Sequence, residues 1–144
     1  MAAAGYFVVV PDLFHGDPVP DNALEKGFDF APWIAKHGVD AVDPVITSTI
    51  KAMRENYGVK KIGAVGYCFG GRYVVRFLGK GKGPDAGFAA HPSMVQSSEF
   101  EEVDGPLSLA LAGELIRFSL RSCRVQRARY AIIRIGADFV SFRN

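Results

Sequence analysis

One helical stripe and several short apolar runs dominate the pattern of hydrophobic and polar positions. Between residues 42 and 57, apolar side chains recur at intervals of three and four, at Val42, Val45, Ile46, Ile50, Met53 and Tyr57. This spacing places them on one face of an amphipathic helix. We expect Asp43 and Pro44 to begin this helix and Gly58 to end it.

The short apolar runs predict strands. Residues 6–10 form a continuous β-branched and aromatic run, which is typical of a strand buried on both faces. Residues 61–65 and 86–90 predict two more strands, and residues 70–78 between them predict a helix. Further strand candidates lie at residues 106–112 and 131–135.

Strands that alternate with helices are joined by crossovers and therefore pair in parallel. We accordingly predict the α/β class, with a mostly parallel sheet flanked by helices. The strands at 6–10, 61–65 and 86–90 should lie side by side in that sheet. The proline-rich residues 14–38 predict a long loop with one helical turn near Trp33.

Composition narrows the class of protein. The chain has 144 residues, of which 49% are hydrophobic and 22% charged, and this suits a globular protein with a real core. A net charge of +2 does not indicate a nucleic-acid or membrane partner. Two cysteines, Cys68 and Cys123, suggest neither a disulfide framework nor a metal site. The first residues lack the positive region of a secretory signal, so we predict a cytoplasmic location.

The charge is distributed unevenly along the chain. Residues 1–114 contain seven Lys and three Arg, whereas residues 115–144 contain seven Arg, no Lys and a single acid, Asp138. The second segment also shows neither a helical stripe nor regular alternation. We therefore predict an α/β domain over residues 1–114 and an anomalous arginine-rich tail over residues 115–144 that packs poorly against the sheet.

The sequence Gly-Tyr-Cys-Phe-Gly at residues 66–70 lies between a predicted strand and a predicted helix. This is the setting of a nucleophile elbow, G-x-S-x-G, with Cys68 in place of serine. Gly66, Gly70 and the following Gly71 are expected to avoid collisions in a strained turn. At the helix N-terminus the dipole favours a thiolate, and the N–H of Phe69 can hold a developing oxyanion. A buried packing cysteine is the alternative.

Three stretches resemble the dienelactone hydrolase family of α/β-hydrolases, namely GYFVVVPDLFHGDP, VKKIGAVGYCFGGRYVVRFL and GFAAHPS. The resemblance covers about residues 1–114 and implies a partial α/β-hydrolase fold. It also implies that a Cys-His-Asp triad hydrolyses a small-molecule lactone or carboxylic ester without a cofactor. The resemblance leaves the natural substrate and the oligomeric state open.

The chain departs from the family pattern after residue 114. The family's acid should follow the stretch PLSLALAGE, but Leu115, Ile116 and Arg117 stand there, and no histidine follows His91. We therefore expect a truncated member, in which residues 115–144 are either a genuine tail or the product of a frame or splicing error. Three functions stay open: a hydrolase with Cys68 as nucleophile, a catalytically incomplete remnant of that fold, and a thiol-based redox or binding protein.

Other polar residues are secondary candidates. His91, Asp12 and His15 follow predicted strands, so they can line the rim of a pocket at the carboxyl edge of the sheet. The alternative for His91 is a hydrogen bond to backbone at the end of a strand. For Asp12 and His15 the alternative is loop hydrogen bonding and turn formation. Charged residues elsewhere are expected to be solvated, and these are Arg72, Arg76 and the acidic residues between 99 and 104.

Overall fold

The structure, a computed structural model, describes residues 1–111 and the backbone of residues 131–134. The described residues fall into two compact units, Met1–Gly58 and the part of the chain from Val59 onward. Among them, the first unit contains the helices α1 (Phe30–Lys36) and α2 (Val39–Glu55), and the second contains the sheet.

Helix α1 lies where the sequence predicts a helical turn near Trp33. The Asp29 side chain caps it by accepting the N–H of Ala31 at 3.0 Å. His37 follows the helix and is buried, and its ring nitrogens lie 2.8 Å from the carbonyl oxygen of Trp33 and 3.2 Å from that of Phe14. The histidine thereby joins α1 to the loop that precedes it.

Helix α2 begins earlier than predicted. The carbonyl of Gly38 accepts the N–H groups of Ala41 and Val42, both at 3.1 Å, which closes a first turn ahead of the proline. Pro44 therefore lies inside the helix and removes one bond from its ladder. The expectation that Asp43 and Pro44 begin the helix is wrong: the helix begins at Val39 after Gly38, and Val42 in its first turn is completely buried.

The described part of the second unit contains four strands and two helices. In chain order they are β1 (Gly63–Tyr67), α3 (Phe69–Phe77), β2 (Ala86–Ala90), α4 (Ser97–Glu101), β3 (Leu107–Leu111) and β4 (Ala131–Arg134). The strands pair in that same order, and every pairing is parallel. The predicted α/β class with a mostly parallel sheet is confirmed.

Strand β2 matches its predicted bounds, but β1 starts later than the predicted residue 61. The backbone N–H of Ile62 donates to the Asp85 carboxylate at 2.9 Å, and Lys61 Nζ donates to the same carboxylate at 2.8 Å. The Asp85 carboxylate thus accepts the Ile62 N–H that a strand would use to bond its neighbour. The pairing of β1 with β2 therefore begins at Gly63.

Helix α3 covers one face of the sheet and forms the core with it. Alternate strand residues point to the same face, so this face collects side chains from neighbouring strands. The buried members of the cluster are Val74, Val75, Leu78, Ala89, Leu107, Leu109 and Leu111. The core therefore lies between α3 and the sheet, next to the turn that joins β1 to α3.

Residues 6–10 do not form the predicted strand. They have no regular secondary structure, and their side chains are exposed, from 39% at Val9 to 87% at Val10. A strand needs partners for its N–H and C=O groups, and no described residue pairs with this segment. The prediction is wrong because an apolar run indicates a tendency toward burial, whereas strand formation also requires a neighbour in register.

Helix α4 is joined to α3 by a buried ion-pair network. Glu99 is 5% exposed and accepts hydrogen bonds from Arg72 Nε at 3.2 Å, from Arg72 Nη2 at 3.1 Å and from Arg76 Nη1 at 3.2 Å. It also accepts the N–H of Gln96 at 2.8 Å and so closes a capping box on α4. The expectation that these three charged side chains are solvated is wrong, because α3 and α4 face each other and their charges compensate.

Most of the predicted tail lies outside the described residues. The strand expected at 131–135 is confirmed for Ala131–Arg134, which pairs with β3. For these four residues, the expectation of few contacts with the sheet is wrong. The division of the chain at residue 114 stays a prediction.

Replacing Glu99 by glutamine removes the negative charge that two largely buried guanidinium groups share. We expect Glu99→Gln to lower the free energy of unfolding by about 2–4 kcal/mol, because it removes the carboxylate that faces the largely buried guanidinium of Arg72. Denaturant titration followed by circular dichroism measures this loss.

Glu102→Gln is the matched control. The Glu102 carboxylate accepts a hydrogen bond from Lys82 at 2.6 Å, which lowers its pKa, but it lies at the surface. Removal of the Glu102 charge should leave the denaturant concentration at the midpoint of unfolding nearly unchanged. Equal losses in the two variants would contradict burial as the cause.

Candidate active site

Cys68 lies at the tip of the turn between β1 and α3, with φ 49° and ψ −112°. Its thiol is exposed. Three backbone hydrogen bonds hold this conformation: the Cys68 N–H donates to Ala90 at 3.0 Å, and its carbonyl accepts the N–H groups of Gly71 at 3.1 Å and Ser93 at 3.0 Å. The predicted strained turn is confirmed, and the alternative of a buried packing cysteine is wrong, since the side chain faces solvent.

The helix that follows Cys68 places a positive dipole end beside the turn. Phe69 is the first residue of α3, and its ring packs against that of the buried Tyr73, with 5.2 Å between ring centroids. This contact anchors the first turn of the helix to the core. The N-terminal N–H groups of a helix favour nearby negative charge, including that of a thiolate.

The glycines around Cys68 differ in how much space surrounds them for a side chain. A Cβ added at Gly66 would lie 2.4 Å from the carbonyl oxygen of Gly70, and one at Gly71 would lie 3.0 Å from Pro92. A Cβ added at Gly70 would meet nothing within 4 Å. The steric reason predicted for the elbow therefore applies to Gly66 and to Gly71, but it is wrong for Gly70, whose missing side chain would point into open space.

Ser93 is a site residue that the sequence analysis missed. The Cys68 thiol donates to Ser93 Oγ at 3.7 Å, and Ser93 is only half-buried. A signal was present, since Ser93 follows β2, and the carboxyl ends of neighbouring parallel strands meet at one edge. The register sets Tyr67 opposite Ala90, which brings the residues after each strand together.

His91 also lies at this edge. Its backbone has φ 36°, and its N–H donates to the carbonyl of Ala110 at 2.6 Å, so its main chain closes the end of β2 against β3. The ring is exposed, and its centroid lies 6.5 Å from that of Tyr67. A role of His91 at the rim of a pocket stays a prediction.

Asp12 and His15 belong to the first unit and make bonds within it. The Asp12 carboxylate accepts the N–H of Phe14 at 3.0 Å and that of Gly16 at 2.7 Å. His15 has φ 53°, and its Nε2 lies 3.4 Å from the carbonyl oxygen of Ala41. Asp12 thus has the loop-bonding role proposed as its alternative, whereas the His15 ring faces the first turns of α2. A contact of either residue with substrate stays a prediction.

The described part of the chain contains no cluster of three or more His, Cys, Asp or Glu side chains able to hold a metal ion. None of its helices is long and apolar enough to cross a membrane. Residues 115–117, which occupy the place of the expected acid, lie outside the described residues.

Comparisons with known proteins find one family of enzymes. The sequence profile of the dienelactone hydrolase family matches residues 1–122. The chain is 45% identical over 113 residues to Hydrolase pyvD of Aspergillus violaceofuscus, and the match covers 78% of this chain and 45% of that protein. It is 46% identical over 121 residues to Hydrolase tropI of Talaromyces stipitatus, covering 78% and 47%.

Dienlactone hydrolase 1 of Gibberella moniliformis is 34% identical over 116 residues, covering 76% of this chain and 44% of that protein. The chain thus spans about half the length of the curated relatives it matches. No solved structure matches it.

The steric difference between Gly66 and Gly70 can be tested by adding a single methyl group. We expect Gly66→Ala to lower the free energy of unfolding by about 2–4 kcal/mol, because the new Cβ collides with backbone atoms that cannot move independently of α3. Gly70→Ala, the matched control, should leave the melting temperature unchanged or slightly raised, since alanine favours a helix over glycine. Thermal unfolding measures both, and similar losses in the two variants would contradict the close approach at Gly66.

Proposed function

Because the chain belongs to the dienelactone hydrolase family, we propose that it acts on a small-molecule carboxylic ester or lactone with Cys68 as the nucleophile. The observation that carries this proposal is the exposed thiol at the tip of a strained turn, directly before a nine-residue helix. The resemblance drawn from the sequence is confirmed by the profile match. The names of the relatives support the reaction class, since they include hydrolases and a dienlactone hydrolase.

The first half of the reaction is acyl transfer to sulfur. The Cys68 thiolate attacks the carbonyl carbon of the ester, and the carbonyl oxygen becomes an oxyanion. The N–H of Phe69, at the positive end of α3, is the proposed donor to that oxyanion. The carbon–oxygen bond to the leaving group then breaks, the alkoxide takes a proton, and a thioester remains on Cys68.

The second half of the reaction needs a base that takes a proton from water. Water adds to the thioester carbonyl, the carbon–sulfur bond breaks, the carboxylic acid is released, and the thiol is regenerated. The chain contains three histidines, and His91 is the one in the unit that holds Cys68. His91 is therefore the proposed substitute base if this half proceeds, whereas a chain without a working base stops at the thioester.

The reaction balances with ester and water alone, so the proposal includes no cofactor. A catalytic thiol must stay reduced, and this supports a cytoplasmic location. Neither nucleic acid nor a membrane has a part in the chemistry.

An activated ester tests the proposal directly. Mixing the chain with excess p-nitrophenyl acetate should release about one equivalent of p-nitrophenol per chain in a burst, because acylation requires only the thiolate and the oxyanion donor. The burst should disappear in Cys68→Ala and persist in Cys123→Ala, the matched control. Intact mass spectrometry should show one acetyl group, located on Cys68.

Steady-state release after the burst distinguishes the complete enzyme from the catalytically incomplete alternative. We expect release to stop near one equivalent, because the sequence supplies no histidine after His91. Sustained turnover would contradict that expectation, and its loss in His91→Ala would then identify the base. A burst that survives in Cys68→Ala would overturn the assignment of the nucleophile.

A further inference from the structure

We propose that Ser93 is a positioning residue for Cys68, an inference that rests on the proposed role of this cysteine as nucleophile. The Ser93 hydroxyl donates a hydrogen bond to the ionised sulfur, which favours the thiolate and fixes its direction. Neither the family resemblance nor the elbow motif assigns Ser93 a role.

The contact between the two side chains is direct. Cys68 Sγ and Ser93 Oγ lie 3.7 Å apart, within the range of a hydrogen bond to sulfur. The main chains are also joined, since the Ser93 N–H donates to the Cys68 carbonyl at 3.0 Å. Two bonds between the same two residues limit how far the hydroxyl can move from the sulfur.

The loop that carries Ser93 is held at both of its ends. Before it, the carbonyl of Ala90 accepts the N–H of Cys68 at 3.0 Å, and the buried Pro92 packs closely against Gly71. After it, the N–H of Gln96 donates to the buried Glu99. Because Glu99 is bonded to α3, the same helix supports both the nucleophile turn and the serine loop.

The direction of the hydrogen bond reverses on ionisation. A neutral thiol donates to the serine oxygen, whereas a thiolate has no proton and only accepts, so the hydroxyl must then donate. A hydrogen bond to a charged group is stronger than one between neutral groups. The bond therefore stabilises the thiolate more than the thiol, and its removal should shift ionisation to higher pH.

Other charged or titratable groups on the elements around Cys68 are Tyr67 at the end of β1, His91 after β2, and Arg72, Tyr73 and Arg76 of α3. Arg72 is bonded to Glu99. All of them are unchanged in Ser93 variants, so a shift between variants reports on the serine alone.

Alkylation of Cys68 by iodoacetamide tests the proposal without requiring any ester hydrolysis. The thiolate displaces iodide from carbon, and the thiol proton goes to solvent. Rates are measured from pH 6 to pH 10.5 on the full chain, with peptide mass spectrometry separating labelling of Cys68 from that of Cys123. The variants are Ser93→Ala and, as the matched control, Ser98→Ala, which removes an exposed hydroxyl on α4.

We expect Ser93→Ala to move the pH profile by about one unit toward higher pH. A less acidic thiol gives a more nucleophilic thiolate, with a Brønsted coefficient of about 0.4–0.5. Alkylation at pH 7 should therefore become about threefold slower, while the plateau at high pH becomes about threefold faster. Ser98→Ala should follow the wild-type profile throughout.

A crossing of the two profiles is the diagnostic result, because a variant that only disturbs packing changes the rate in one direction at every pH. Equal profiles for Ser93→Ala and wild type, or a parallel displacement of the rate without a shift in pH, would overturn the proposal. Failure of the ester burst together with crossing profiles would reject the hydrolase proposal and leave the role of Ser93 intact.

A shape-matched pair keeps the test valid if Ser93→Ala does not fold. Ser93→Thr retains a hydroxyl and Ser93→Val has nearly the same shape without one, so their difference isolates the hydrogen bond. The alkylation profile of Ser93→Val should be displaced by about one pH unit toward higher pH relative to that of Ser93→Thr. Coincident profiles for this pair would also overturn the proposal.

Discussion

The close approach of β1 to the first turn of α3, at Gly66, is the constraint on which the rest of the candidate site depends. A side chain at this position would meet the backbone of Gly70 and Gly71, so the helix can start this close to the strand only above a glycine. The chain must then reverse within two residues, and this forces Cys68 to a positive φ that costs about 1–3 kcal/mol. Hydrogen bonds from β2 and its loop offset that cost, so the parallel pairing of two strands and the exposure of the thiol are parts of one arrangement.

A second support comes from electrostatics away from the thiol. Glu99 binds Arg72 and Arg76 on α3 and also caps α4, a helix of five residues that would not be stable by itself. Because the loop after β2 ends at α4, the buried carboxylate fixes that loop relative to the turn that carries Cys68. The strain at Cys68 and the position of Ser93 therefore depend on the same two helices. A substitution of Glu99 should for this reason also alter the surroundings of the Cys68 thiol.

The sequence by itself determined the features that arise within a few neighbouring residues. The helical stripe at 42–57 and the strand at 86–90 follow from the period of apolar positions, which reflects backbone geometry rather than distant contacts. The turn at Cys68 follows from the spacing of glycines around it between a strand and a helix. The family likewise followed from the residues alone, since its motifs are continuous stretches of chain. The predicted bounds of the elements were less accurate. Strand β1 begins only at Gly63, because the Asp85 carboxylate accepts the N–H of Ile62, which the local pattern assigns to the strand.

Tertiary structure alone decided the features that join distant parts of the chain. The contact of Cys68 with Ser93 and the pairing of Arg72 with Glu99 each join residues more than twenty positions apart. No period or spacing encodes such a distance, because it depends on strand register and on how two helices meet. For the same reason residues 6–10 have the composition of a strand without forming one, since pairing requires a neighbour that composition cannot supply. The sequence thus singled out Cys68 and its turn, and the fold decided which groups surround them.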